Sequence, residues 1–133
     1  MLDAWAVMAW VNGEEPAGLK VQSLLDTADA GQLDLLMSMI NVGEVYYLLV
    51  KEQDREAADY FWKRFQTSSV RIVQAPNDLI FEAAQLKSRF PISYADAFAA
   101  ATAVRRSAAL VTGDPDFRPL ADAGVITLEW IGR

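Results

Sequence analysis

Neither cysteine nor histidine occurs anywhere in the 133 residues. The first absence excludes disulfides and thiolate metal sites, and it agrees with a reducing compartment. The second excludes serine–histidine–aspartate triads, cysteine–histidine pairs and imidazole metal ligands. Hydrolysis is thereby left to carboxylates, a lysine, or a metal held by oxygen ligands. Long uncharged apolar runs are missing too: none reaches the roughly eighteen residues a membrane span needs. Met1-Leu2-Asp3 lacks the basic lead and cleavage site of a signal peptide, so the expected location is the cytoplasm.

Basic residues are the last shortage. Twelve Lys and Arg stand against 18 Asp and Glu, for a net charge of −6. That balance disfavours phosphate binding, the main source of nucleic-acid affinity. It changes if several acids gather at one cation: setting aside Asp3, Glu44, Asp96, Asp114 and Asp116 leaves 13 acids against the 12 bases. Bound cations would then invert the sign of that one pocket.

What is present is a globular composition, 53% apolar and 23% charged, of a length that suits one domain over residues 1–133. The apolar stretch Ala4 to Val11 reads as a strand end followed by a helix. Pro16 marks a helix start, with Leu19 to Ala30 helical and Gly31 as its stop. Leu33 to Ile40 suits a buried strand, followed by helices over Asn41 to Lys51 and Asp54 to Phe65. Val70 to Val73 reads as a strand, and Asn77 or Asp78 caps a helix through Arg89. Ser93 caps Tyr94 to Arg106; Ala108 to Thr112 and Val125 to Trp130 read as the last two strands. Strands alternating with helices predict an α/β fold with a parallel sheet covered on both faces.

In such a sheet, ligands bind beyond the carboxyl ends of the strands. Asp3 and Asp114 fall at two such ends. Each also has a local explanation. Asp3 would cap a helix beginning at Ala4 or Trp5, Asp114 with Pro115 makes a ready N-cap, and Asp116 suits a turn. Asp96 would bond back to the backbone of Ser93 in a capping box. Yet the Ala-rich helix behind it has almost no polar face and so belongs in the interior, where an acid at its positive end stays ionised. Glu44 lies at the margin of the stripe formed by Val42, Val45 and Leu49, where an acid needs a partner. Lys51 or Arg55 would serve, or else Asn41 one turn earlier holds the carboxylate for a cation. Carboxylates from four segments suit Mg²⁺ or Mn²⁺, which prefer hard oxygen ligands.

Four segments carry a resemblance: Leu2-Asp3-Ala4-Trp5-Ala6, Asn41-Val42-Gly43-Glu44-Val45-Tyr46-Tyr47, Ile92 to Ala100, and Val111-Thr112-Gly113-Asp114-Pro115-Asp116-Phe117. Together they resemble the PIN domain, and more narrowly the VapC-type toxins of bacterial toxin–antitoxin pairs. The resemblance implies a three-layer sandwich with a central, mostly parallel β-sheet flanked by helices. It implies a Mg²⁺- or Mn²⁺-dependent endoribonuclease with Asp3, Glu44, Asp96 and Asp114 as its acids and Asp116 as a further ligand or support. Metal would be held by Asp3, Asp96, Asp114 and Asp116, with Asn41 and Thr112 orienting carboxylates or substrate phosphate. It also implies a homodimer, a cognate antitoxin, and tRNA or another structured RNA as substrate. Trp5 stands where many members carry a small polar residue.

Other classes fit less well. A receiver-like domain needs a lysine at a late strand end, where the strand after Arg106 offers none. A carboxylate phosphatase would carry its Asp-x-Asp early rather than at Asp114 to Asp116. A silent binding module would not need all four acids, whereas a DNA-directed nuclease would share the same site. Phe61, Trp62 and Phe65, with Tyr46, Tyr47 and Tyr60, read as core or as a dimer or antitoxin groove. Arg105, Arg106 and Arg118 suit either phosphates or solvated helix ends.

Overall fold

The computed structural model describes all of residues 1–133. The sheet is built around a single residue. Leu2 pairs in parallel with Met37 and with Val111. It thereby joins β1 (Leu36–Ser38) and β2 (Arg71–Val73) on one side to β3 (Leu110–Thr112) and β4 (Leu128–Trp130) on the other. Leu2 N donates to Leu36 O at 2.7 Å and Val111 N to Met1 O at 2.7 Å, so the first residues fill the centre of the ladder. Every pairing is parallel, as the alternation of strands and helices requires.

Side chains alternate along these strands and divide the core. Met37 and Val111 face one cluster with Val7, Val21, Val45, Leu49, Phe61 and Phe65. Leu36 and Leu110 face the other, with Leu79, Ala83, Phe98, Phe117 and Leu120. The first cluster is covered by α1 (Ala4–Val11), α2 (Ala17–Asp29), α3 (Met39–Glu52) and α4 (Arg55–Phe65). The second is covered by α5 (Asn77–Arg89), α6 (Tyr94–Arg105) and α7 (Arg118–Asp122). This is the α/β/α sandwich expected, and Ala97 to Ala103 of α6 are buried without interruption.

Several boundaries differ from the sequence reading. Ala4 to Val11 is helix throughout, because Asp3 caps it and Leu2 alone serves as strand. The buried run from Leu33 to Ile40 is strand only at Leu36–Ser38. Ser38 there turns the chain into α3 by accepting a bond from Ile40 N. The last two strands are also shorter, at three residues each. Arg55 pairs with Asp59 rather than Glu44. Phe61 and Phe65 stack on each other in the core at 5.1 Å, leaving Tyr47 and Tyr60 as the exposed aromatics of that face. No helix is long and apolar enough to cross a membrane.

Candidate active site

Five polar or charged residues are buried: Asp3, Ser38, Asn41, Thr102 and Thr112. Ser38 is the cap of α3, and the Thr102 hydroxyl bonds back to Phe98 O within α6. The other three meet at the carboxyl ends of the central strands. The chain reverses its lateral direction there, with β1 on one side of Leu2 and β3 on the other.

Asp3 leaves the sheet directly after Leu2 and is 1% exposed. Its Oδ1 accepts from Ala6 N at 2.8 Å, and its Oδ2 accepts from the Thr112 hydroxyl at 2.5 Å. The same Thr112 oxygen accepts from Asp114 N at 3.0 Å. One hydroxyl at the end of β3 therefore fixes both the first acid and the loop that carries the last ones. Asp114 in turn accepts from Asp116 N at 2.9 Å and caps the 3₁₀ turn Pro115–Phe117.

Asn41 makes the second tie. Its amide donates to Ala95 O at 3.0 Å and to Glu44 Oε1 at 3.4 Å. A single side chain thus links α3 to the first turn of α6, one residue before Asp96. Its own carbonyl oxygen is buried with no partner. The capping box at α6 is made in one direction only. Ser93 Oγ accepts from Asp96 N at 3.1 Å, while the expected bond from the Asp96 carboxylate back to the backbone of Ser93 is absent. That carboxylate turns instead toward Asp114 and Asp116, where one oxygen from each of the three lies within 4.8 Å of the others.

Electrostatics tie in the two remaining acids. Burial pushes the Asp3 carboxyl up to about 7 from 3.8, opposed by the bonds from Thr112 and Ala6 and reinforced by repulsion from Asp96 and Asp114. Asp96 rises to about 6, first through burial and then through Glu44, Asp114 and Asp116. Glu44 is raised by burial and by Asp114, while Asn41 works against the rise. No arginine or lysine relieves this repulsion, since the ion pairs are Arg55–Asp59, Arg71–Asp34 and Arg105 with Asp78 and Glu82. Close carboxylates with no basic partner form a hard oxygen donor set, which suits a divalent cation. The structure therefore brings Asp96, Asp114 and Asp116 within reach of one cation, and leaves Asp3 and Glu44 outside that group but near enough to repel it, with Thr112 holding Asp3 and the Asp114 loop and Asn41 holding Glu44.

One contact beside the site escaped the sequence reading. Gly113, between Thr112 and Asp114, is buried under the Trp5 indole, and a Cβ there would fall 2.2 Å from the ring. Its φ is not positive, unlike Gly13, Gly31 and Gly124. A glycine that no turn requires, set between two candidate site residues, is the signal that was available.

Solved structures with this architecture are numerous. A chain of VapBC2 from Rickettsia felis, bound to a DNA fragment from its promoter, superposes with a TM-score of 0.72 at 19% identity. The match covers 97% of this chain and 96% of that one. VapC20 of Mycobacterium tuberculosis, described as a sarcin–ricin loop cleaving toxin, gives 0.72 at 20% identity over 89% and 92% of the two chains. A toxin–antitoxin complex from Klebsiella pneumoniae gives 0.63 at 18% over 87% and 88%. No curated protein sequence matches. The PIN domain family model matches residues 1–123, a span that contains β1 to β3, all five acids and both residues that tie them, and the chain belongs to the PIN domain family.

Proposed function

We propose that this chain is a divalent-metal-dependent endoribonuclease of the VapC type, the toxin of a toxin–antitoxin pair, folded as one domain over residues 1–133. The observation that carries the reading is the meeting of Asp96, Asp114 and Asp116 within 4.8 Å, with Asp3 and Glu44 raising or sharing their repulsion. PIN family membership and the toxin–antitoxin character of the similar structures support it.

The chain's own residues have distinct parts. Asp96, Asp114 and Asp116 offer open carboxylate oxygens to Mg²⁺ or Mn²⁺, and Asp3, whose oxygens already accept from Ala6 and Thr112, supplies charge and a remaining lone pair from below. When bound, the cation supplies Lewis-acid polarisation of the scissile phosphate and of the attacking water. Glu44, held by Asn41 and raised above the usual carboxylate range, stands at the margin as the group to accept a proton from that water. Thr112 and Asn41 keep the acids in register through the catalytic cycle. The substrate is tRNA or another structured RNA, the working form a cytoplasmic homodimer, and the inhibitor a cognate antitoxin. A cavity of about 680 Å³ among α1 to α4, lined by Trp10, Leu25, Tyr60, Phe61 and Arg64, supports docking of an antitoxin segment.

The test is direct. Purified protein is incubated with structured RNA and with DNA of the same sequence, in Mg²⁺, in Mn²⁺ and in chelator. RNA cleavage that needs the cation and is lost in Asp96→Asn is expected. Cleavage that persists in chelator refutes the reading, as does DNA cleavage at an equal rate.

A further inference from the structure

The acids account for bond breaking but not for which nucleotide is placed there, and the wall beside them carries features the chemistry does not use. Trp5 follows Asp3 by two residues, lies over Gly113 and remains half-exposed. Its ring opens onto a cleft of about 420 Å³ shared with Trp130, Ile131, Arg133 and the two acids Glu14 and Glu15. Gly113 lines this cleft and directly precedes Asp114, as Trp5 follows Asp3 by two residues, so both ends of the acidic site border it along the chain. Outside the lining itself, a cation rests on Trp130. The Arg118 guanidinium lies 4.1 Å over the Trp130 ring, two residues beyond Asp116, and it has no carboxylate partner.

Building on the nuclease reading, we propose that this cleft is the subsite for the nucleotide next to the scissile phosphate. An unpaired base of the RNA lies against Trp5, and its phosphate meets Arg118. The chemistry matches on both counts. An indole presents a flat apolar face that any base can stack on. A guanidinium steadied on an aromatic ring is a planar phosphate donor that has already lost part of its side-chain freedom. The strand needs such a cation near five acids, because it approaches a site that repels phosphate until a divalent ion is bound. A small polar residue at position 5 would supply neither face nor wall.

The experiment uses a fluorescein-labelled single-stranded hexaribonucleotide in Ca²⁺, read by anisotropy and tryptophan quenching, with cleavage of the same RNA measured in Mg²⁺. Trp5→Ala is expected to weaken binding roughly tenfold, the scale of one stacked base, with Trp5→Phe keeping most of the affinity. Arg118→Gln should reduce the dependence of log K on log salt by about one. An oligonucleotide made abasic at the cleavage position should bind wild type and Trp5→Ala equally. Circular dichroism melts confirm that each variant is folded, and Trp5→Leu, which keeps apolar bulk but offers no ring to stack on, takes the place of Trp5→Ala in the comparison if that variant is not. Cleavage by the wild type with no effect of either Trp5 variant on affinity or cleavage position overturns the subsite and leaves the nuclease standing. An absence of both cleavage and binding refutes the nuclease reading and the subsite with it.

Discussion

Replacing Asp3 by Asn separates the stability of the fold from the demands of its site. The Asp3 carboxyl titrates at about 7 in the folded chain against 3.8 for an unperturbed group. A raised carboxyl pKa means that the native state holds its proton when the unfolded chain has lost it. The associated stability is present in full below pH 3.8 and disappears as pH rises through 7. At 1.36 kcal/mol per unit, the whole difference amounts to about 4 kcal/mol, of which more than half is lost between pH 5 and pH 8. Asp96 and Glu44 add to the loss in the same direction, by less because both are partly exposed. With no histidine in the chain, this window is free of the usual titration. One group opposes: the buried Met1 ammonium, bonded to Ala109 O at 3.0 Å, has a lowered pKa and favours the native state as pH rises.

Urea unfolding in chelator at pH 5 and pH 8, followed by tryptophan fluorescence, measures these terms. Wild type should lose stability from pH 5 to pH 8. Asp3→Asn should lose about 2–3 kcal/mol less over the same interval, and become the more stable protein at pH 8. Met1 is common to both, and removing the Asp3 charge that supports its ammonium widens the difference rather than hiding it. The substitution leaves Ala6 N an acceptor in the Asn carbonyl and gives Thr112 a donor, so the local bonds are largely kept. Parallel pH profiles for the two proteins would show that Asp3 is not a strained ionised acid in the fold.

Other outcomes follow from the same contacts. Millimolar Mg²⁺ or Mn²⁺ at pH 8 should stabilise wild type by about 2.7 kcal/mol at a hundredfold excess over Kd, read as a higher melting midpoint, and leave Asp96→Asn nearly unmoved; equal shifts would place the cation elsewhere. Thr112→Val removes the donor to Asp3 and the acceptor for Asp114 N, and should destabilise by about 1–3 kcal/mol, with Thr112→Ser restoring both stability and cleavage. Gly113→Ala drives a Cβ into Trp5 and should cost about 1–3 kcal/mol; a variant as stable and active as wild type would show that the contact yields without consequence.

The parallel α/β architecture was legible because helical and strand periods alternate and Gly31, Pro76 and Gly113 punctuate them. Boundaries were not, wherever a cap lay inside an apolar run. Ser38 ends β1 and starts α3 with apolar residues on either side, so nothing in the pattern from Leu33 to Ile40 marks the change. Leu2 acts as a whole strand through backbone bonds to Leu36 and Met1 to Val111, which no side-chain pattern records. The acids could be picked out by type and position. The bonds that hold them could not: Asn41 reaches Ala95 across 54 residues and Thr112 reaches Asp3 across 109.

Capping and metal binding entered the sequence reading as rival explanations for Asp3 and Asp114, and the structure shows that they do not compete. A carboxylate has two oxygens and several lone pairs. Asp3 caps α1 with one oxygen while Thr112 holds the other, and Asp114 caps its turn with Oδ1 alone. A cap fixes the side chain's rotamer with a backbone N–H that cannot move independently of its helix. The acids are thus placed before any cation arrives, and the cost of assembling like charges is met by the folding of α1, α6 and the 3₁₀ turn. The balance explains why the strain settles on Asp3 and Asp96, whose carboxyls rise to about 7 and about 6. Asp3 is the most buried, and Asp96 is raised by burial and by Glu44, Asp114 and Asp116, against a bond from the side chain of its cap, Ser93. A carboxylate preset in this way has little freedom left to lose on binding an ion, so removing its cap should weaken cation affinity even with every acid in place. Ser93→Ala is the variant in which that loss is readable, as a smaller cation-induced rise in melting midpoint than in Ser93→Thr, and equal rises would show that the caps only start helices.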